Sequence, residues 1–184
     1  MTGAIPAATV VLLRPAAAGI GVEALMLEKS RGQTFGGAWV FPGGKVEPGD
    51  EAPDAAEVDD ARRAAVREAA EETGIALGDA DLVPFAHWLA PLQAPKRFST
   101  WFFVAEQPAD AADVVVDGGE IGDHRWATPA EALARHAAGD VELLPPTWIT
   151  LHELAGAASP ADAVERARRR PIEFFSTQWP SIWT

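Results

Sequence analysis

The 184-residue chain contains no cysteine. Disulfides, thiolate zinc sites and thiol nucleophiles are therefore excluded, and nothing positive follows about compartment. It has no tyrosine either, an unusual lack beside seven tryptophans. Basic residues are few, 15 against 27 acidic ones, for a formal net charge of −12. That balance argues against general nucleic-acid binding, which needs clustered lysine and arginine to hold phosphates. The one basic run, RARRR at Arg166–Arg170, reads as the positive last turn of a helix that stops before Pro171. Long apolar runs are also missing: no stretch reaches the roughly 18 residues of a membrane span. The opening MTGAIPAATVVLLRP has no basic leader or small-residue cleavage site, and Pro6 and Arg14–Pro15 bound its apolar part, so it reads as a first strand. The final PSIWT is neither a lipidation signal nor a peroxisomal address. A cytoplasmic, non-membrane protein is the default expectation.

What is present is ordinary globular composition, 48% hydrophobic and 23% charged, enough for one domain spanning residues 1–184. No repeat or linker divides it. Strand-like runs lie at 8–14, 23–29, 81–89, 97–106 and at RWAT, with a short apolar run at WVFP. The segment FPGGKVEPGD, Phe41–Asp50, is dense in glycine and proline and reads as irregular. Helices are expected at 57–73, ended by Gly74; from Thr128, where a capping residue precedes Pro129 and Glu131; and at about 147–156 and 161–169. A mixed sheet with few helices predicts an α+β sandwich, with a helical C-terminal extension over about 145–184.

One stretch resists a purely structural reading. REAAEETGI, Arg67–Ile75, sets Glu68, Glu71 and Glu72 on one side of an alanine-rich helix. At about 100° per residue, Glu71 and Glu72 lie about 60° and 40° either side of Glu68, with Val66, Ala69, Ala70 and Thr73 opposite for packing. Like charges at these spacings destabilise a helix by roughly 0.2–0.5 kcal/mol per pair, so something should offset them. Carboxylates converging from one helix are hard oxygen ligands suited to Mg²⁺. The nearby Gly43–Gly44 offers backbone that can approach an ion or a phosphate closely.

FPGGKVEPGD followed by REAAEETGI resembles the signature of the Nudix hydrolases, with Gly44 as its opening glycine and Arg67, Glu68, Glu71, Glu72, Gly74 and Ile75 as its closing half. The resemblance implies a Nudix-type α/β/α sandwich that uses Mg²⁺ or Mn²⁺ to split a diphosphate joined to another group. It implies a metal set of the Gly43 carbonyl, Glu68, Glu71 and Glu72. In GGEIGDHRW, Glu120 precedes Trp126 by six residues, a spacing similar to that of an additional metal ligand or base in some members. The implied catalytic set is Arg67, Glu68, Glu71, Glu72 and Glu120, with Glu71, Glu72 or Glu120 as the expected acceptor of the attacking water's proton. Two departures stand out. Asp50 occupies the position of the family's first Glu, shortening its arm toward Arg67. Sixteen residues rather than seven separate the two, so an acidic insert, 51–59, is expected to bulge out and leave the helix in register.

Against so negative a chain, an anionic substrate needs local cations; Lys45, Lys96 and Arg97 are the candidates. Trp101, with Trp88 and Phe98, is a candidate contact for the rest of the substrate. FGGAWVFPGGKV, RFSTWFFVA and LLPPTW look like the coenzyme A and acyl-coenzyme A diphosphatase branch. ADP-ribose, dinucleoside polyphosphates and NADH are the alternative substrates, and a non-catalytic nucleotide sensor is the rival from another class. A P-loop is excluded because Val46 follows Gly44–Lys45, and no nucleophile-elbow motif occurs. The tail FFSTQWPSIWT, with Trp179 and Trp183, predicts packing on its own domain or across a homodimer.

Overall fold

The computed structural model describes residues 3–32, 35–116 and 118–176. Its centre is β1 (Ile5–Pro15), whose Val10, Val11, Leu12 and Leu13 are all buried. A run without polar alternation is what a strand covered on both faces requires. On one side β1 pairs in parallel with β6 (Phe98–Glu106), from Ile5↔Phe98 to Leu13↔Glu106. Beyond it lie antiparallel β5 (Val83–Leu89) and, parallel to that, β9 (Glu173–Ser176).

On its other side the sheet forks. The C-terminal end of β1 pairs with β2 (Val22–Lys29) at Leu13↔Ala24, and the two strands then diverge. Residues 38–45 fill the gap: β3 (Ala38–Val40) pairs with β2, and β4 (Gly43–Lys45) pairs with β1 at Thr9↔Gly43 and Ala8↔Gly44. The far side of β2 carries β7 (Ile121–Ala127), and β8 (Glu142–Leu143) pairs with β3. The glycine-rich segment is thus irregular except at Gly43–Lys45, where its backbone completes the sheet.

Helices cover both faces, giving the α/β/α layering. On one, α1 (Glu57–Thr73) seats Ala61, Ala64, Ala65 and Ala69 against Val10, Leu12 and Phe103. On the other, α2 (Pro129–Ala137), α3 (Pro145–Leu154) and α4 (Pro160–Arg169) bury Ala132, Leu151, Leu154, Ala163 and Val164 against Val11, Phe85 and Trp88. Thr128 caps α2 by accepting from the Glu131 N–H at 3.2 Å, as its sequence predicts.

Residues 51–56 of the insert lie outside regular structure, and 57–59 belong to the helix expected from 57, where Glu57, Asp59 and Asp60 suit the positive end of the helix dipole. Two expectations are corrected. The face of α1 is rotated from the one predicted, with Ala70 exposed and Glu72 buried. The chain after 145 also adds β9, whose Phe175 stacks on Trp88 at 4.0 Å between ring centroids. Trp179 and Trp183 lie outside the described residues.

Candidate active site

The site is built where the fork and α1 meet. Pro42 is tied to β1 by Thr9, whose hydroxyl donates to the Pro42 carbonyl at 2.6 Å, and by the Val10 N–H at 2.9 Å. The chain then runs so close to its neighbours that side chains are excluded. A Cβ on Gly43 would lie 2.7 Å from Thr9 Cα, and one on Gly44 would collide with the Glu68 carboxylate. Glycine here is a matter of space, and it brings the Glu68 carboxylate directly against backbone.

From the sheet-facing edge of α1 the three acids enter different surroundings. The side chains of Glu71, Glu68 and Glu72 are 58%, 15% and 6% exposed respectively. Glu72 Oε2 accepts the Gly43 N–H at 2.8 Å, and its Oε1 accepts from Lys29 Nζ at 2.8 Å. Lys29 also donates to Glu120 Oε1 at 3.1 Å, joining β2, α1 and the start of β7. Burial pushes the Glu72 carboxyl up, with Lys29 and the Gly43 N–H opposing the rise. Burial likewise pushes Glu68 up against the pull of Arg67, with Glu72 and Glu71 adding to it. For Lys29 burial acts downward, but Glu72 and Glu120 outweigh it and hold the ammonium above its usual range.

Arg67 is the hub of the cluster. It donates to Glu68 and Glu71 at 2.9 Å each, to the Lys45 carbonyl at 3.0 Å, and through two nitrogens to Asp50 at 2.9 and 3.2 Å. Asp50 is therefore long enough to grip Arg67 in spite of its shorter arm. Burial pushes the Asp50 carboxyl up, but hydrogen bonds from Arg67 and the Glu47 N–H, with the charges of Arg67 and Arg63, hold it below the usual range. The Asp50 hydrogen bonds in turn hold Arg67 above its own range. The like charges on α1 thus find two cations interleaved with them.

The donor chemistry suits a divalent metal: carboxylates at three positions of one helix, a fourth at Glu120, and backbone at Gly43, all hard oxygens. Gly44, which has no Cβ, leaves Glu68 the room that such a ligand needs. Among the described residues, no three acids or histidines are gathered at ligating distance; Arg67 and Lys29 hold the carboxylates instead. The other predicted residues divide. Lys45 is exposed on β4, beside the site. Arg97 donates to the Ala90 carbonyl at 3.1 Å and, with exposed Lys96, lies at the start of β6, roughly 13 Å along the strand from Trp101. Trp88 belongs to the opposite face, in the core beneath α3 and α4, which removes it as a substrate contact on the α1 side.

Trp101 does share the α1 face, in a transverse row that the register defines: Gly44, Ala8, Trp101, His87, Phe174 on five adjacent strands. Trp101 stacks on His87 with centroids 4.3 Å apart, and Phe174 stands edge-on to His87 at 5.2 Å. Two strand spacings put Trp101 on the order of 10 Å from Gly44. The sequence reading leaves Lys29 out. A single lysine at a strand end carries no signal, and its partners lie 43 and 91 residues away.

The NUDIX domain family model matches residues 4–147. No curated protein matches the sequence. Among solved structures, a NUDIX hydrolase from Alicyclobacillus acidocaldarius superposes with a TM-score of 0.79 at 22% identity, covering 90% of this chain and 97% of its own. The NUDIX domain of Shewanella oneidensis NrtR, complexed with ADP-ribose, gives 0.63 at 14% identity over 90% of each chain. An Ap4A hydrolase from C. elegans gives 0.56 at 23% identity, over 81% of this chain and 93% of its own.

Proposed function

The chain belongs to the NUDIX family, a hydrolase family acting on diphosphates, and on that premise we propose that it is a divalent-cation-dependent diphosphatase whose substrate is a nucleoside diphosphate linked to a second group. The observation that carries this reading is the placement of Glu68 and Glu72 against the glycine backbone of β4, within a cluster that Arg67 and Asp50 fix from the other side.

In this reading Glu68, Glu71 and Glu72, with the Gly43 carbonyl and Glu120, hold Mg²⁺ or Mn²⁺. Such an ion supplies charge neutralisation on diphosphate oxygens and a lowered pKa for water. Arg67 orients Glu68 and Glu71 through its fork of donors and is itself kept in place by Asp50. Glu71, the most exposed of the three, is the carboxylate with freest access to a water proton, and Glu120 is the second candidate base. Lys45 offers a cation to the phosphates from the rim. Trp101 flanks the path that the attached group would take, and that group is the coenzyme A moiety in the finer reading. ADP-ribose and dinucleoside polyphosphates are equally compatible with the site, and the similar structures named for those ligands support their inclusion in a test.

The test incubates the purified protein with Mg²⁺ or Mn²⁺ and, separately, coenzyme A, an acyl-coenzyme A, ADP-ribose, NADH and a dinucleoside polyphosphate, with products separated by chromatography. Cleavage at the diphosphate, abolished by EDTA, is the expected result. Absence of cleavage with either ion would move a nucleotide-binding, non-catalytic role ahead.

A further inference from the structure

Lys29 has a position that the diphosphatase reading leaves unused. It ends β2 where the pairing with β7 slips: Glu28 faces Asp123, but Lys29 faces Ile121, so Gly122 is skipped. An irregularity of this kind redirects a side chain, and here it sends the ammonium inward. Only 11% of the Lys29 side chain is exposed, and the tip reaches Glu72 Oε1 at 2.8 Å and Glu120 Oε1 at 3.1 Å. Those two acids come from α1 and from the residue preceding β7, and Lys29 is the charge that joins them. Arg67, the other cation in the cluster, is fastened by bonds to Asp50, Glu68, Glu71 and Lys45, which a flat, five-donor group can sustain together. Lys29 differs in kind: a point charge on a flexible four-carbon stem, able to leave without unmaking the rest.

We propose that Lys29 is a tethered counter-cation of the carboxylate cluster, which a divalent ion must displace from Glu72 and Glu120, so that this one side chain sets the ion concentration at which the site loads. The proposal rests on the reading that those acids are ligands. Three consequences follow. Without the divalent ion, Glu72 is kept buried and compensated by Lys29, so the cluster does not repel itself. With it, two cations cannot share Glu72 and Glu120 at contact distance, because like charges a few ångströms apart in a partly buried site repel strongly. The displaced side chain is then released beside the site, where it becomes more accessible to an amine-directed reagent.

The experiment measures Mn²⁺ binding directly, by electron paramagnetic resonance of free Mn²⁺, in the wild-type protein, Lys29→Met and Lys29→Arg. Methionine keeps most of the stem and removes the charge, so it should tighten binding by about tenfold or more. Arginine keeps the charge and adds donors, so it should bind Mn²⁺ no more tightly than wild type. A second readout needs no substitution. Lys29 is one of only three lysines, so amine acetylation followed by mass spectrometry resolves each; labelling of Lys29 should rise several-fold on saturation with Mg²⁺. If Lys29→Met binds Mn²⁺ no more tightly than wild type, or labelling of Lys29 falls or stays constant on adding the ion, the proposal is overturned while the diphosphatase reading stands. If the wild type binds no Mn²⁺ at all, the ligand reading itself fails. Should Lys29→Met not fold, the labelling experiment on the intact protein still decides.

Discussion

Replacing Asp50 by asparagine isolates the grip on Arg67. The residue is 4% exposed, and its carboxylate takes two hydrogen bonds from the guanidinium and one from the Glu47 N–H. Asparagine keeps the size and one acceptor oxygen but loses the charge. Hydrogen bonds to charged groups contribute roughly 1.5–3 kcal/mol each, and loss of charge weakens two of them without removing the geometry, so about 2 kcal/mol should disappear. Arg67 is 24% exposed and retains water and three other acceptors, which keeps the figure below the range for a fully buried pair. For a chain of this length that is a fall in Tm of about 4–8 °C. The pH dependence adds a second signature. Because the folded-state pKa of Asp50 lies below its ordinary value, its contribution is fully present above the unfolded value, about 3.9, and is lost as pH falls through the folded one. Urea titrations should therefore find the gap between wild type and Asp50→Asn constant from pH 7 to about 5 and closing below about 4. A variant within about 0.5 kcal/mol of wild type at pH 7, or a gap that persists undiminished in acid, would refute the reasoning.

Other substitutions probe the remaining contacts. Gly44→Ala should push Glu68 off the backbone and lower diphosphate turnover by about 100-fold, measured as initial rate with circular dichroism as the check on folding. Glu72→Gln should lower turnover at least 100-fold, because a neutral amide lacks the charge that a ligand to a divalent ion supplies; unchanged kcat/KM would remove Glu72 from the chemistry. Phe175→Ala should cost about 1–2 kcal/mol in urea denaturation through loss of the Trp88 stack, while exposed Phe174→Ala changes stability by less than about 0.5 kcal/mol.

How much of this could be read from the chain depends on distance in sequence. The bounds of α1 were legible to the residue, since Gly74 takes the left-handed conformation (φ 73°) that ends a helix and the apolar spacing lies within one segment. The grouping of Glu68, Glu71 and Glu72 was equally local. Which edge of α1 turns inward was not, because a helical wheel gives relative angles only; the choice between burying Ala70 and burying Glu72 is made by β4 and Lys29. The strands β8 and β9 are too short to show a period, and β9 owes its place to pairing with β5 far upstream. The contact of Arg97 was illegible for a related reason: its guanidinium donates to the Ala90 carbonyl across the turn between β5 and β6, a meeting that the strand pairing decides.

The fastening of the segment after Asp50 has a practical consequence for engineering. Side chains of α1 hold its start: Arg63 donates to the Asp50 carbonyl at 2.6 Å, and Asp60 accepts the Ala52 N–H at 3.2 Å. Its other end is the helix itself, which begins at Glu57. Residues 53–56 contribute no side chain to the cluster, so their number is uncoupled from the placement of the acids. Doubling a flexible loop adds only about 0.6 kcal/mol of closure entropy. A reporter or affinity tag grafted at Pro53–Asp54 would thus ride on the enzyme without moving its carboxylates, which makes this stretch a ready port for immobilising or tracking it.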